Sequence, residues 1–183
     1  MISLEWVKDY IDISDQDLEE LAVKITQSGI NVEKVITNHI NNLVIGEVLE
    51  CVAHPDSDHL HVCKVNVGNI TEQIVCGAPN VREGLKVIVA LPGAVLPGDF
   101  EIKKSKIRGV ESNGMLCALY ELGLEEKNDE TYAKGIEELG ADAPVGEDPL
   151  KYLGLDDTLY ELDIHKHRNN DCYYHIGLSL IHI

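Results

Sequence analysis

Apolar positions recur with two different periods along this chain. Through the first forty residues the spacing is helical. Ser3 stands where it caps a short helix, Leu4 to Ile11. Ser14 is placed to cap a second, with Asp17 near its start to suit the helix dipole. Leu18, Leu21, Ala22 and Ile25 then fall at i, i+3, i+4 and i+7, one face of a helix, and Gly29 fits the position just past its end. So small a unit buries too little to fold well by itself, so it is expected to pack on the neighbouring, more C-terminal part of the chain.

From Asn42 the period becomes that of strands. LVIGEVLECVAH is rich in Val, Ile and Leu. LHVCKVNV alternates through Leu60 and Val62, slips at Lys64, and resumes at Val65 and Val67, which predicts a bulge or twist. Gly68-Asn69 is a turn signal and EQIVCGA its partner strand; LKVIVAL and GMLCAL supply two more. PGAVLPGDFEIKKSKIRG is turn-rich with short extended pieces. Five or so short strands with Gly/Pro turns predict a small barrel. From about residue 125 to 149 the chain is acidic and contains Gly, Ala and Pro, the composition of a lid or linker; DDTLYELDIH opens a new extended segment.

Composition narrows this picture. A chain of 183 residues, 44% apolar and 26% charged, is an ordinary globular sequence of one domain or two small ones. It has no run of about 18 apolar residues, the length of a membrane span, and no basic-then-apolar leader, so a cytoplasmic location is expected. The five cysteines are odd in number, widely spaced and free of any C-x-x-C. That argues against a disulfide framework or zinc ribbon; Cys51, Cys63, Cys76 and Cys117 read as small buried hydrophobes. A net charge of −17 opposes wholesale wrapping of nucleic acid. The distribution weakens that objection, because residues 121–163 hold 14 acids and three bases, 11 of the 17 negative charges. The dense basic run Lys103, Lys104, Lys106 and Arg108 lies just before them.

Four runs carry candidate chemistry. HPDSDHLH, with His54, Asp56, Asp58, His59 and His61, has metal-ligand types, but Pro55 and Asp56 are accounted for by turn chemistry, and one turn rarely makes a converging site. GAPNVREG sets Asn80 and Arg82 in a tight loop, a common place for binding groups and equally for plain turns. KKSKIRGVESNGM presents four cations, then Ser112, Asn113, Gly114 and Met115, a set able to track a nucleic-acid backbone or to serve as a solvated edge strand. LDIHKHRNNDCYYHIG holds three histidines, Arg168 and Asp171, yet no nucleophile with a spaced base can be assigned from it; a strand running into a helix start accounts for it.

Taken together, HPDSDHLHVCKVNVG, IVCGAPNVREGLKVIVALPGAVLPG, EIKKSKIRG and VESNGMLCALYELGL resemble the tRNA-binding oligonucleotide-binding (OB) fold domain, over about Asn42 to Leu124. That domain occurs in bacterial phenylalanine–tRNA ligase beta subunits, methionine–tRNA ligase tails, free-standing tRNA-binding proteins and EMAP-II-type cytokines. The flanks ISLEWVKDYIDIS…LAVKITQSGINVE and LYELDI…RNNDC…HIG resemble the beta subunit, bringing the match to about residues 1 to 177. The chain departs from that family at His165, Lys166 and His167, where Thr-Pro-Asn is usual, and at His59, where Lys is usual.

The resemblance implies an α+β fold: a small N-terminal helical unit (1–41), a five-stranded OB-fold Greek-key β-barrel with an acidic extension (42–150), and the truncated start of a further α/β module (151–177). Strands of that module are expected to be loose without their sheet. Residues 178–183, LSLIHI, are expected to be read-through of a sequencing adapter, since one back-translation matches a transposon-end adapter.

The resemblance also implies a tRNA-binding accessory region of a heterotetrameric enzyme that uses ATP and magnesium to attach phenylalanine to tRNA. Its partners would be tRNA, the alpha subunit and the rest of the beta subunit. This fragment would hold no catalytic residue, metal or cofactor of its own. The expected tRNA-binding residues are Asn80, Arg82, Lys103, Lys104, Lys106, Arg108, Ser112, Asn113 and Met115. In that set Lys104, Lys106 and Arg108 neutralise phosphates, Asn80 and Ser112 hydrogen-bond, and Met115 meets a base. With aromatics at 5% of the chain, base stacking is expected to contribute little and binding to be weak and salt-sensitive. The alternatives are a free-standing homodimeric tRNA-binding protein and a structural packing module whose basic stripe contacts the acidic 121–163 segment.

Overall fold

Strand β1 (Ile2–Ser3), helices α1 (Leu4–Val7) and α2 (Leu18–Gln27) and strand β2 (Asn31–Thr37) open the computed structural model, which describes residues 1–164 and 174–182. Strands β3 (Leu43–Ala53), β4 (His61–Asn66), β5 (Thr71–Cys76), β6 (Lys86–Ala90), β7 (Val95–Leu96), β8 (Phe100–Glu101), β9 (Ser105–Ile107), β10 (Val110–Ser112) and β11 (Met115–Cys117) come next. After a 3-10 turn at Leu119–Leu122 come helix α3 (Asp129–Lys134), strand β12 (Glu138–Leu139), helix α4 (Pro149–Tyr152), strand β13 (Thr158–Asp163) and helix α5 (Tyr174–His182). They fall into two units, Met1–His39 with Gly154–Ile183, and Ile40–Leu153. His165, Lys166, His167, Arg168, Asp171 and Cys172 lie outside the described residues.

In the first unit Ser3 caps α1 as expected, its hydroxyl accepting from the Trp6 N–H at 3.2 Å. The second helix starts later than Ser14. Asp12 takes the Ser14 N–H into a turn, and Asp17 is the cap, accepting from the Glu20 N–H at 2.9 Å. Leu21, Ala22 and Ile25 of α2 are buried, on the face read from the sequence, and Gly29 comes after it at φ 100°.

The helical reading of the first forty residues fails at β2. Its Val32, Val35 and Ile36 are half-buried on an antiparallel strand paired with β13 from Thr37↔Thr158 to Asn31↔Asp163. β13 also pairs with β1, giving the sheet order β1-β13-β2. The segment expected to be loose therefore has a ladder on both sides. Tyr160 at its centre is fully buried with Leu4, Val7, Ile25 and Leu178, and its hydroxyl donates to the Leu18 carbonyl.

The second unit is mostly strand. Its principal sheet runs β11-β6-β3-β4-β5, all antiparallel, with β12 added on β6. The irregularity expected in β4 lies in its partner. Between Val48 and Glu50 the register shifts, leaving Leu49 as the extra residue of a bulge in β3. The buried phase of β4 is Cys63 and Val65, continued just past its end by Val67, and these share one apolar cluster with Val48, Ile74, Val87, Val89 and Leu116. Each such side chain, fully buried, contributes roughly 1.5–3 kcal/mol.

The sheet curls tightly at Gly46, where a Cβ would stand 2.5 Å from Val89 Cγ2 and 2.7 Å from Val65 Cγ1. Its β5 edge is tied to β10 by the Asn113 N–H on the Gln73 carbonyl (2.8 Å) and the Gln73 amide on the Glu111 carbonyl (2.8 Å).

The acidic stretch with the composition of a lid or linker is a packed strap. Apolar residues interrupt its charges, and Ile136, Leu139, Ala143 and Leu150 are buried. Lys86 Nζ donates to the carbonyls of Ala141 and Ala143 at 2.7 and 2.6 Å, while beside them the Gly146 N–H donates to the Ile45 carbonyl and the Ile45 N–H to the Glu147 carbonyl, both at 2.8 Å. Among the described residues no helix is long and apolar enough to cross a membrane.

Candidate nucleic-acid interface

The basic run leads into the hairpin β9–β10, Lys103 and Lys104 just before β9, Lys106 within it and Arg108 at its two-residue turn with Gly109, with Ile107 opposite Val110. Both turn residues have positive φ, 46° and 85°, the geometry of a type I′ turn. The HPDSDH turn clamps this hairpin. His54 is 4% exposed; its Nδ1 accepts from the Asp56 N–H (3.0 Å), so Nε2 carries the proton and donates to the Ile107 carbonyl (3.2 Å). Arg108 Nη1 donates to the Asp56 carbonyl at 2.7 Å. This histidine, a metal-ligand type by sequence, thus has both ring nitrogens engaged in holding two turns together.

The cations of this run stay at the surface. Lys103 pairs with Glu101 at 2.7 Å and Lys106 with Glu111 at 3.6 Å, both pairs largely exposed and individually worth about 0–1 kcal/mol. Lys104 is exposed and makes no ion pair among the described residues. The partners recorded for these cations, Glu101, Glu111 and the Asp56 carbonyl, lie outside the 121–163 segment.

The polar residues expected beside them are turned inward. Ser112 is 1% exposed; its hydroxyl accepts from the Val75 N–H (3.1 Å) and donates to the Gly114 carbonyl (3.0 Å), stitching β10 to β5. Asn113 donates to Glu72 at 2.9 Å. Asn80 spends its amide on the strap: it donates to the Ile136 carbonyl (2.8 Å) and to Glu138 (3.2 Å) and accepts from the Ile136 N–H (3.1 Å). Gly135 is required beside it, since a Cβ there would come within 2.2 Å of Asn80 Oδ1. Arg82 makes a two-pronged pair with Glu138 at 2.8 and 2.7 Å. The hydrogen bonds from Arg82 and then Asn80 hold the Glu138 carboxyl down at about 2.

Between hairpin and strap lies a groove of about 940 Å³. Lys103 and Met115, from the expected set, line it. So do Phe100, Tyr120 and Tyr132, three of the nine aromatic residues in the chain. Phe100 and Tyr132 are 58% and 64% exposed, large apolar surface left open to solvent. Lys127 Nζ stands 5.7 Å from the Tyr120 ring centre and 5.9 Å from that of Tyr132, a cation over both faces. Glu121 lies on the same wall. Burial pushes its carboxyl up, and the Ala118 N–H donated to it at 2.8 Å opposes the rise. Sequence reading missed this collection because its rings come from β8, the 3-10 turn and α3, with no common period.

A family model described as "Putative tRNA binding domain" matches residues 43–148, a span that contains the hairpin, the groove and the strap up to the start of α4. The chain belongs to that family. Outside the tRNA-binding domain the likeness continues. The chain is 47% identical over 183 residues to the phenylalanine–tRNA ligase beta subunit of Geobacillus kaustophilus, covering 98% of this chain and 23% of that protein. It is 50% identical over 184 residues to the same subunit of Bdellovibrio bacteriovorus, covering 97% of this chain and 22% of that protein. It therefore spans less than a quarter of the length of these curated relatives. Among solved structures, the MetRS-related protein of Pyrococcus horikoshii is 23% identical with a TM-score of 0.42, over 57% of this chain and 84% of that one.

Proposed function

We propose that this chain is a tRNA-contacting, non-catalytic accessory region of a phenylalanine–tRNA ligase beta subunit, and that its second unit is an OB-fold Greek-key barrel of five strands. The observation that carries the reading is the coincidence of the tRNA-binding domain, residues 43–148, with an exposed cationic hairpin bordering an aromatic groove. Lys103, Lys104, Lys106 and Arg108 meet phosphates; Met115 faces a base. Asn80, Arg82, Ser112 and Asn113 act by holding the loops that present those groups. The groove adds what the composition did not promise. Phe100, Tyr120 and Tyr132 offer faces on which an unpaired base stacks, an interaction worth about 1–3 kcal/mol per base in proteins that use it. Binding remains weak against a chain of net charge −17 and gains its effect by tethering to the rest of the enzyme.

In the assembled enzyme the partners are the alpha subunit and the remaining beta-subunit modules. ATP and magnesium serve the reaction there, and the complex works in the cytoplasm. The test is tRNA titration against this chain at two salt concentrations. A log–log slope reflecting roughly three or four phosphate contacts, at about −0.7 to −0.9 each, supports the hairpin as an RNA surface. No binding at low salt refutes it for the isolated chain.

A further inference from the structure

Cys51 and Cys63 face each other across strands β3 and β4. Their parity in the ladder can be read from its end, where the His54 N–H donates to the Leu60 carbonyl at 2.9 Å. Counting back along the register makes the 54/60 pair hydrogen-bonded and the 51/63 pair non-hydrogen-bonded. In that pair the Cα atoms stand about 4.5 Å apart and the side chains lean together. A disulfide needs a Cα separation of about 4.4–6.8 Å. The sulfurs are already 3.8 Å apart, and both cysteines are reduced.

We infer that Cys51 and Cys63 are an oxidisable dithiol that closes to a cross-strand disulfide when the protein meets a peroxide. Exposure sets the order of events. Cys51 is half-buried, whereas Cys63 is fully buried. Burial, then the neighbouring Cys51, push the Cys63 thiol far above the ordinary range, so it remains protonated. The Cys51 thiolate attacks one peroxide oxygen. The O–O bond breaks, hydroxide leaves and takes up a proton as water, and Cys51 becomes a sulfenic acid. The Cys63 sulfur then attacks the Cys51 sulfur; the S–S bond forms, the S–O bond breaks, and hydroxide leaves with the Cys63 proton as a second water. The two sulfurs lose two electrons, and the peroxide gains them.

The staple would close the base of the HPDSDH turn, the element that clamps the cationic hairpin through His54 and Asp56. It would also remove the Cys51 S–H, now 4.0 Å from the Val81 carbonyl, as a donor to the loop that carries Asn80 and Arg82. Cys76 is buried and its sulfur accepts from the Ala78 N–H at 3.4 Å; Cys117 is buried elsewhere in the sheet.

The test is treatment of the full chain with hydrogen peroxide, alkylation of the remaining thiols and mass spectrometry. Trypsin leaves both cysteines on one peptide, between Lys34 and Lys64, whereas cleavage at Asp56 or Asp58 separates them. The expected product is a tryptic peptide lighter by two hydrogens and protected from alkylation at both cysteines. It remains joined after aspartate cleavage and is released by dithiothreitol. The oxidised protein should show a higher urea midpoint, because the closed loop restricts the unfolded chain. Cys51→Ser, at the half-buried position, should fold, lack the protected peptide and lose the shift in midpoint. Cys51 carried on to sulfinic acid with Cys63 still free to alkylation once the chain is unfolded would overturn the inference. So would pairing of Cys51 with any other cysteine.

Discussion

The GAPNVR loop, with one cation, and the KKSKIR run, with four, both offer polar side chains beside the strands and next to a glycine, and both invite a binding role. In the structure they do opposite work. The loop commits its side chains to the strap, Asn80 to Ile136 and Glu138, and Arg82, at the surface, to Glu138. The hairpin keeps its lysines in water and is held from behind by His54. The difference comes from what lies opposite. The loop meets a strap whose backbone groups need partners, so its amide is consumed. The hairpin backs onto a turn that engages it through His54 and the Asp56 carbonyl, and of the lysines beside it Lys103 and Lys106 pair only with the local carboxylates of Glu101 and Glu111. Polar residues near a binding surface are therefore informative only once their hydrogen-bonding capacity has been accounted for.

The sharpest way to break this contrast is to remove the hairpin's charge. Replacing Lys103, Lys104 and Lys106 together by Ala should make the salt slope of tRNA binding shallower by about 2 to 3, at about 0.7–0.9 per lost contact. The same titration, with a urea melt alongside, checks that stability stays within about 0.5 kcal/mol, as for other surface changes. The converse substitution is Asn80→Ala. It leaves the Ile136 N–H and carbonyl without partners and should cost about 2 kcal/mol of stability, read from the urea midpoint, while the salt slope stays as it was.

A smaller effect is expected from Tyr132→Ala at the groove. About 1 kcal/mol of tRNA affinity should go, roughly a fivefold rise in Kd, with no change in slope, because stacking rather than charge is removed. The smallest concerns Arg82 and Glu138. The Glu138 carboxyl is lowered to about 2, so its pairing with Arg82 stabilises the fold above the ordinary carboxylate range and is lost only as pH falls toward 2. The pair is exposed and screened, so the loss should be slight. A side-chain NMR titration of Glu138 in Arg82→Gln should move its midpoint up toward the ordinary carboxylate value.

How much the sequence reveals depends on the range of each signal. The cap at Ser3, the buried face of α2 and the strands of the second unit are local patterns, and the structure has them at the same residues. β2 reads as helix because its neighbours are helical, although Val32, Val35 and Ile36 carry strand-forming side chains. β13 looks partnerless for the same reason: the strand it pairs with is hidden among helices. The strap is concealed by its charge, which masks the widely spaced Ile136, Leu139, Ala143 and Leu150. The cationic run is legible because it is contiguous. The groove is not, because Phe100, Tyr120 and Tyr132 meet only through the fold.

One residue of the hairpin sets folding against charge. Arg108 holds a left-handed backbone conformation, φ 46°, at the first position of its turn, where Asn is the easier occupant. A residue of that kind costs of order 1 kcal/mol there, and its single bond to the Asp56 carbonyl offsets part of it. Arg108→Asn would therefore relax the turn while deleting a positive charge. At this site the more comfortable protein and the more cationic protein are different molecules, and the chain carries the cationic one.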